Sequence, residues 1–114
     1  MVSVVWDAVA GHNGLERGFW NRDMNKMMTK MLIKIVMRHK QWYQDNPKYD
    51  LKKVVKAKTL REFDEAFTKR MFNYESAEDY QRACTHKDKI DRIKVPTFCL
   101  QAGDDMMAVD RGEC

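Results

Sequence analysis

Apolar positions along the chain predict a series of helices between two short strands. Residues 2–6 are β-branched or aromatic apart from one serine, which predicts a buried strand over residues 1–8. Glycines at positions 11, 14 and 18 predict that a loop follows this strand. A second apolar run, residues 97–102, comes after Pro96 and predicts another strand, which ends in the turn Gly103-Asp104-Asp105.

The longest amphipathic pattern predicts a helix over residues 21–44. Its apolar positions recur at spacings of three, four and seven, so they form one broad face that we expect to pack inward. They are Trp20, Met24, Met27, Met28, Met31, Leu32, Ile35 and Trp42. Asn21 is the predicted N-cap of this helix, and Asp45-Asn46-Pro47 is the predicted stop.

Capping signals predict several shorter helices after the long one. Thr59 and Glu62 have the spacing of a capping box, in which each side chain satisfies a backbone N–H of the first turn. Ser76 is a second predicted N-cap. We expect helices over residues 50–57, 59–70 and 76–84 and a helical turn over 88–93. The inner face of the second of these is predicted to be Leu60, Phe63, Phe67 and Met71.

The predicted order of strand, helices and strand has a physical difficulty. Two strands joined by a long crossover fit a parallel sheet. Two strands alone do not make a stable sheet, however. The pattern therefore indicates an α/β fold in which these elements are a fragment, mostly helical by residue count.

Charge and cysteine content narrow the classes of protein. The net charge of +4 favours weak contact with nucleic acid or an anionic membrane. The nearest approach to a basic cluster is Lys48, Lys52, Lys53, Lys56 and Lys58, for which a solvated helix face is the simpler interpretation. Three cysteines without a C-x-x-C pair argue against a disulfide framework and a zinc ribbon, and they favour a reducing, intracellular compartment.

Several segments resemble one known family. They are Phe72-Asn73-Tyr74-Glu75-Ser76, Asp79-Tyr80, Ile93-Lys94-Val95-Pro96 and the pair Asp104-Asp105. This series is similar to the C-terminal part of α/β-hydrolase-domain lipases and esterases, a family that includes membrane-anchored phospholipases and bacterial esterases. The resemblance implies cap and connecting helices over residues 19–93, a strand with an acidic turn over 96–105 and a divergent tail over 110–114. It also makes the methionine-rich face of the long helix a candidate lining for an apolar channel, although ordinary packing is the simpler interpretation.

The same resemblance implies a catalytic role for the acidic turn. A serine hydrolase uses a carboxylate to orient its histidine and to stabilise the imidazolium formed during attack. Asp105 is the candidate for this acid and Asp104 the runner-up. Taken without the resemblance, two acidic residues after a glycine are more simply a turn.

The sequence also departs from the family's pattern. Gln81 stands where an aromatic residue often follows Tyr80, Cys84 where a serine is common, and Met106 where a proline is common. A Gly-x-Ser-x-Gly nucleophile elbow does not occur among the 114 residues, and no histidine follows Asp105. We therefore expect an α/β-hydrolase related to enzymes that cleave lipid or carboxylic esters, inactive by itself.

Two alternatives from other classes remain. Cys84 and His86 are two residues apart on a predicted helix end, a poor spacing for a nucleophile and its base, so Cys84 is expected to be a small buried residue. The chain also fits a small basic helical module that binds a membrane surface, nucleic acid or a partner protein. For the hydrolase interpretation we expect a lipid or ester substrate, no nucleic acid, no cofactor and no metal.

Overall fold

The computed structural model of the protein describes residues 7–98, and every regular element within them is helical. The helices are α1 (Ala8–Glu16), α2 (Phe19–Arg38), α3 (Leu51–Lys56), α4 (Leu60–Phe63), α5 (Lys69–Met71) and α6 (Ala77–Cys84). A π-helical turn, Asp64–Thr68, joins α4 to α5, and 3₁₀ turns occupy Lys40–Trp42 and Lys87–Arg92. The predicted helical character is confirmed for this part of the chain.

The start of the described chain differs from its prediction. Residues 1–6 of the predicted first strand lie outside the described range, and Asp7 is the N-cap of α1, accepting a hydrogen bond from Ala10 N at 2.8 Å. The loop predicted from the glycines at 11 to 18 is wrong, because residues 8–16 are helical. Leu15 is fully buried and α1 packs against α2 and α6, so tertiary contact outweighs the low helix propensity of glycine.

Most of the second predicted strand lies outside the described residues. Thr97 and Phe98 have no regular secondary structure, and residues 99–105 lie outside the described range. The arrangement of strand, helices and strand therefore stays a prediction.

Helix α2 is shorter than its prediction and differently capped. It begins behind Gly18, whose φ of 80° is a conformation that glycine adopts without strain, and it ends at Arg38. Asn21 lies inside the first turn instead of capping it, and its Nδ2 donates to Gly14 O at 3.0 Å, near the end of α1. The chain then reverses through the 3₁₀ turn, where the rings of His39 and Trp42 stack at 5.2 Å.

The side of α2 that packs against α1 and α4 is not its predicted apolar face. The buried residues of α2 are Asn25, Thr29 and Val36, whereas most of the predicted apolar face is exposed. Trp20 is 81% exposed and Met31 58%.

The two buried polar residues of α2 are hydrogen-bonded, one of them to a neighbouring helix. Asn25 Oδ1 accepts from Leu60 N at 2.8 Å, which satisfies an N–H group at the start of α4 that has no partner within its own helix. Thr29 Oγ1 donates to Asn25 O at 2.7 Å. Burial of these two polar residues is thus accompanied by the bonds that it requires.

The main core lies between α2, α3 and the helical segment over residues 60–71. Its buried members are Val36, Val54, Phe63, Ala66 and Phe67. The rings of Tyr43, Tyr49, Phe63 and Phe67 pack against one another at centroid distances of 5.1 to 5.7 Å. The predicted inner face is confirmed for Leu60, Phe63 and Phe67, but Met71 is 42% exposed.

The N-caps predicted at Thr59 and Ser76 are confirmed. Glu62 N donates to Thr59 Oγ1 at 3.2 Å, and Asp79 N donates to Ser76 Oγ at 3.0 Å. The return bond of the capping box is displaced by one residue, since Glu62 Oε2 accepts from Lys58 N at 2.7 Å. The predicted helices near residues 50–57 and 88–93 are also present, as α3 and the second 3₁₀ turn.

Candidate functional site

The two acidic residues predicted to supply a catalytic acid, Asp105 and Asp104, lie outside the described residues. Their role stays a prediction. Histidines and carboxylates within residues 7–98 form a different arrangement, which the sequence analysis did not identify.

His12 and Asp64 form a pair between α1 and the π-helical turn. His12 Nε2 lies 3.1 Å from Asp64 Oδ2, and the two side chains are 17% and 10% exposed. The second ring nitrogen, Nδ1, is 3.1 Å from Ala8 O. Asp64 begins the π-helical turn, a distortion that is common at functional sites.

The hydrogen bonds of His12 decide what this pair can do. A backbone carbonyl only accepts, so Nδ1 donates to Ala8. The contact at Nε2 then needs one proton, carried by either the imidazole or the carboxylate. Neither ring nitrogen is left free to take a proton from a nucleophile. In this arrangement the pair fastens α1 to the π-helical turn and does not act as a general base.

Tyr80 and Cys84 lie on α6 beside this pair. Burial raises the pKa of Tyr80 to about 12, and its hydrogen bond to the Cys84 side chain and the nearby charges of Cys84 and Asp64 act in the same direction. Each effect disfavours the phenolate. Tyr80 is therefore a neutral hydrogen-bonding group at neutral pH.

The predicted burial of Cys84 is confirmed only in part, because this thiol is half-buried. His86 is exposed beyond the end of α6.

An apolar cavity of about 260 Å³ opens between α2 and the helical segment over residues 60–71. Its walls are almost entirely aliphatic and aromatic. They are Leu32, Ile35, Val36, His39, Tyr43, Phe63, Phe67, Thr68, Met71 and Phe72. A cavity with such walls suits a hydrocarbon group.

A wider groove of about 530 Å³ lies on the other side of the same helical segment. Lys53 and Lys56 of the predicted basic cluster line it, together with Arg61, Lys69 and Arg70. Two of these cations are paired, because Arg61 Nε lies 2.8 Å from Glu16 Oε1 and Lys69 bonds to Glu65.

Glu65 is held as a carboxylate by the groove. Burial by itself raises the pKa of Glu65, but hydrogen bonds from Lys69 and from Ala77 N outweigh burial and lower it. Glu65 thereby links the groove to the first residue of α6. The groove is best described as a solvated, salt-bridged face.

Residues 7–98 contain neither a cluster of metal ligands nor a helix that could span a membrane. No group of three histidine, cysteine or acidic side chains in this range could hold a metal ion. None of the helices there is long and apolar enough to cross a membrane.

Comparison with known proteins gives a consistent set of relatives. The chain is 32% identical to phospholipase ABHD3 of Mus musculus over 106 residues, which cover 93% of this chain and 25% of that protein. It is 34% identical to monoacylglycerol lipase of Saccharomyces cerevisiae over 79 residues, covering 65% of this chain and 17% of the lipase. The putative esterase YheT of Escherichia coli is 30% identical over 91 residues, covering 80% of this chain and 26% of that protein.

The chain belongs to the α/β-hydrolase lipase and esterase family. The resemblance predicted from residues 72–105 is thereby confirmed. This α/β-hydrolase chain spans between 17% and 26% of the length of the curated relatives named above. No family model matches the chain, and no solved structure matches it.

Proposed function

We propose that this chain supplies the cap helices and the triad acid of a serine hydrolase that cleaves lipid or carboxylic esters. The observation that carries the proposal is the similarity over 93% of the chain to a protein named as a phospholipase. Similarity to a monoacylglycerol lipase and to a putative esterase supports the same class of substrate. Asp105 is the proposed acid, and Asp104 is the alternative.

The apolar cavity supports a lipid substrate. An acyl chain needs a wall of aliphatic and aromatic groups with few polar atoms, which the cavity between α2 and residues 60–71 provides. Ile35, Met71 and Phe72 are exposed at its rim, so an acyl chain would cover apolar surface that is now in contact with water. We propose this cavity as a contact site for the acyl group.

The proposal also includes inactivity of residues 1–114 alone. Acyl transfer needs a nucleophilic serine, a histidine base and an oxyanion hole together. Ser3 and Ser76, the two serines present, are not in a Gly-x-Ser-x-Gly sequence, and His12 has both ring nitrogens engaged. Purified 114-residue protein should release no product from a short-chain p-nitrophenyl ester. Turnover that a serine-directed inhibitor abolishes would contradict this part of the proposal.

A chimera tests the proposed acid. The matching 106-residue segment of mouse phospholipase ABHD3 would be replaced by this chain, and ester hydrolysis would be measured before and after Asp105→Asn. Loss of the triad carboxylate lowers kcat by about 10⁴-fold in a serine protease, and we expect a loss of that order.

Asp104→Asn is the matched control in the chimera, because it removes the same charge one position earlier. It should change kcat by less than about tenfold. The reverse pattern would assign the acid to Asp104. Equal and small effects of both changes would contradict a triad role for either residue. Labelling with a fluorophosphonate probe would show independently that the chimera has an intact nucleophile.

The size of the native protein provides a further measurement. An antibody to residues 59–95 would detect the protein in its source tissue. The proposal expects a band well above 13.5 kDa, which is the mass of these 114 residues.

A further inference from the structure

Helix α1 is held by polar contacts with distant parts of the chain. Ala8 N donates to Thr85 Oγ1 at 3.2 Å, just after the end of α6, and Arg61 Nη2 donates to Asn13 Oδ1 at 2.8 Å. A third contact runs from His12 to the π-helical turn. The nine residues of α1 include two glycines and are too few for a stable helix in isolation. The helical state of α1 therefore depends on its contacts with the rest of the fold.

Neutral His12 cannot keep both of its hydrogen bonds while Asp64 is ionised. Ala8 O and an ionised carboxylate only accept, so each of the two ring nitrogens must donate. Only the imidazolium carries an N–H on both nitrogens. A neutral ring places the lone pair of one nitrogen against an oxygen at 3.1 Å, and one hydrogen bond is then lost at a contact that is largely closed to water.

The other titratable groups near the pair change this balance little. On α6, Tyr80 and Cys84 lie beside it, and Tyr80 keeps its proton at neutral pH because its pKa is raised to about 12. Further charged groups that contact α1 are bonded elsewhere in the described part of the chain. They are Arg22 and Arg61, which donate to Glu16, and Asp7, which caps the first turn. Histidine is the side chain that ordinarily changes its charge between about pH 5 and pH 8.

We propose that His12 and Asp64 form a proton-controlled latch. The latch holds α1 on the π-helical turn when His12 is an imidazolium and releases α1 when His12 is neutral. The closed state needs a proton that the open state can lose, so low pH favours closure. The stabilisation of α1 by the pair is therefore present near pH 5 and is lost as the pH rises through about 8.

This inference goes beyond ester hydrolysis and does not depend on Asp105. The π-helical turn also carries Phe67 and Thr68 of the cavity wall, so release of α1 would free one side of the segment that forms that wall. Failure of the latch would leave the hydrolase proposal unchanged, and loss of the triad role would leave the latch unchanged.

Hydrogen–deuterium exchange of the 114-residue protein tests the latch. The measured quantity is the protection of the α1 amides at about pH 5 and about pH 8, corrected for the intrinsic effect of pH on exchange. Protection should fall by at least about tenfold over this range, which corresponds to the loss of one hydrogen bond to a charged group. Protection of α3, which contributes Val54 to the main core, should fall much less. Unchanged protection of α1, or an equal fall in α1 and α3, would overturn the proposal.

Asp64→Asn is the sharpest variant, because an amide of the same shape suits a neutral histidine. The new Nδ2 can donate to the lone pair of His12 Nε2 while His12 Nδ1 still donates to Ala8 O. Protection of α1 at about pH 8 should therefore be at least that of the unaltered protein, and the fall between about pH 5 and pH 8 should disappear. A fall as large as in the unaltered protein would contradict the latch, because the carboxylate would then have no part in it.

His12→Gln removes the group that takes up the proton. Protection of α1 should then be lower near pH 5 and should change little up to about pH 8. His86→Gln is the matched control, since it removes a histidine that is exposed beyond the end of α6, and it should leave the fall unchanged. A pH dependence that persists in His12→Gln, or that both histidine variants lose equally, would overturn the proposal. If His12→Gln does not fold, Asp64→Asn decides between the outcomes.

Discussion

The two sides of α2 invert the usual distribution of polarity. Its inner side buries Asn25 and Thr29, and its outer side exposes methionine, isoleucine and tryptophan. Both buried polar groups are hydrogen-bonded: Asn25 Oδ1 accepts from Leu60 N at the start of α4, and Thr29 Oγ1 donates to Asn25 O within α2. The comparison teaches that hydrogen bonding to a neighbouring helix end can select the buried side of a helix against its apolar pattern.

The inner side of α2 should be the more sensitive to substitution. Asn25→Ala leaves Leu60 N buried without an acceptor, and we expect a loss of about 2–3 kcal/mol in the free energy of unfolding. Urea unfolding followed by circular dichroism measures it. Asn46→Ala is the matched control, because Asn46 Oδ1 accepts from Lys48 N at 3.0 Å in an exposed turn. The control should lose less than about 1 kcal/mol. Equal losses would mean that the Asn25 bond does not stabilise the fold more than a surface bond does.

Replacing a buried polar group that has no hydrogen-bond partner should raise the free energy of unfolding, whereas replacing Asn25 should lower it. Gln81 is 2% exposed, and its Nε2 has no hydrogen-bond partner in the described part of the chain. Gln81→Leu removes an unpaired polar group at similar volume, so the free energy of unfolding should rise by about 1 kcal/mol. Gln81→Glu, nearly the same shape, should lower it by burying a charge. A loss of stability in the leucine variant would show that the amide is bonded.

Alkaline pH should lower the stability of the folded protein through Tyr80, which is partly buried on α6. This test therefore probes α6 and not α2. The folded protein raises the pKa of Tyr80 to about 12, so the unfolded chain loses the phenolic proton first as pH rises. The contribution of Tyr80 to stability is therefore fully present below about pH 10 and is lost as pH rises towards 12. Tyr80→Phe should reduce the loss of stability between about pH 10 and pH 12. Tyr49→Phe, which removes a hydroxyl from the core, is the control, and an unchanged slope in Tyr80→Phe would contradict the effect.

The smallest effect on stability is expected on the outer side of α2. Met27→Gln with Met31→Gln replaces exposed side chains by others of similar length and helix propensity, so the free energy of unfolding should change by less than about 0.5 kcal/mol. The same urea titration measures it. A loss near that of Asn25→Ala would show that Met27 and Met31 are packed in solution.

Local signals predicted much of the helical structure. Thr59 and Ser76 were recognisable as N-caps because each side chain accepts from a backbone N–H only three residues further along the chain. Helical spacing predicted Phe63 and Phe67 as inner residues, and both are buried. The family was also recognisable, because each of its motifs in residues 72–105 is a short run of adjacent residues.

Contacts between distant residues were not predictable in the same way. His12 and Asp64 are separated by 52 positions and carry no mutual spacing that a sequence pattern could show. Residues 11–18 looked like a loop because glycine disfavours a helix, but contact of α1 with α2 and α6 makes the segment helical up to Glu16. Asp104 and Asp105 stay predictions.

The sequence by itself determined where α4 and α6 begin, which residues could share a helix face, and the family to which the chain belongs. Such properties depend on residues within a few positions of one another, or on the pattern of contiguous motifs. Only the tertiary structure decided which side of α2 is buried, what partner His12 has and which polar groups are bonded. The free energy of burial depends on the neighbour that a side chain meets, and for Asn25 that neighbour is a backbone N–H 35 residues further along the chain.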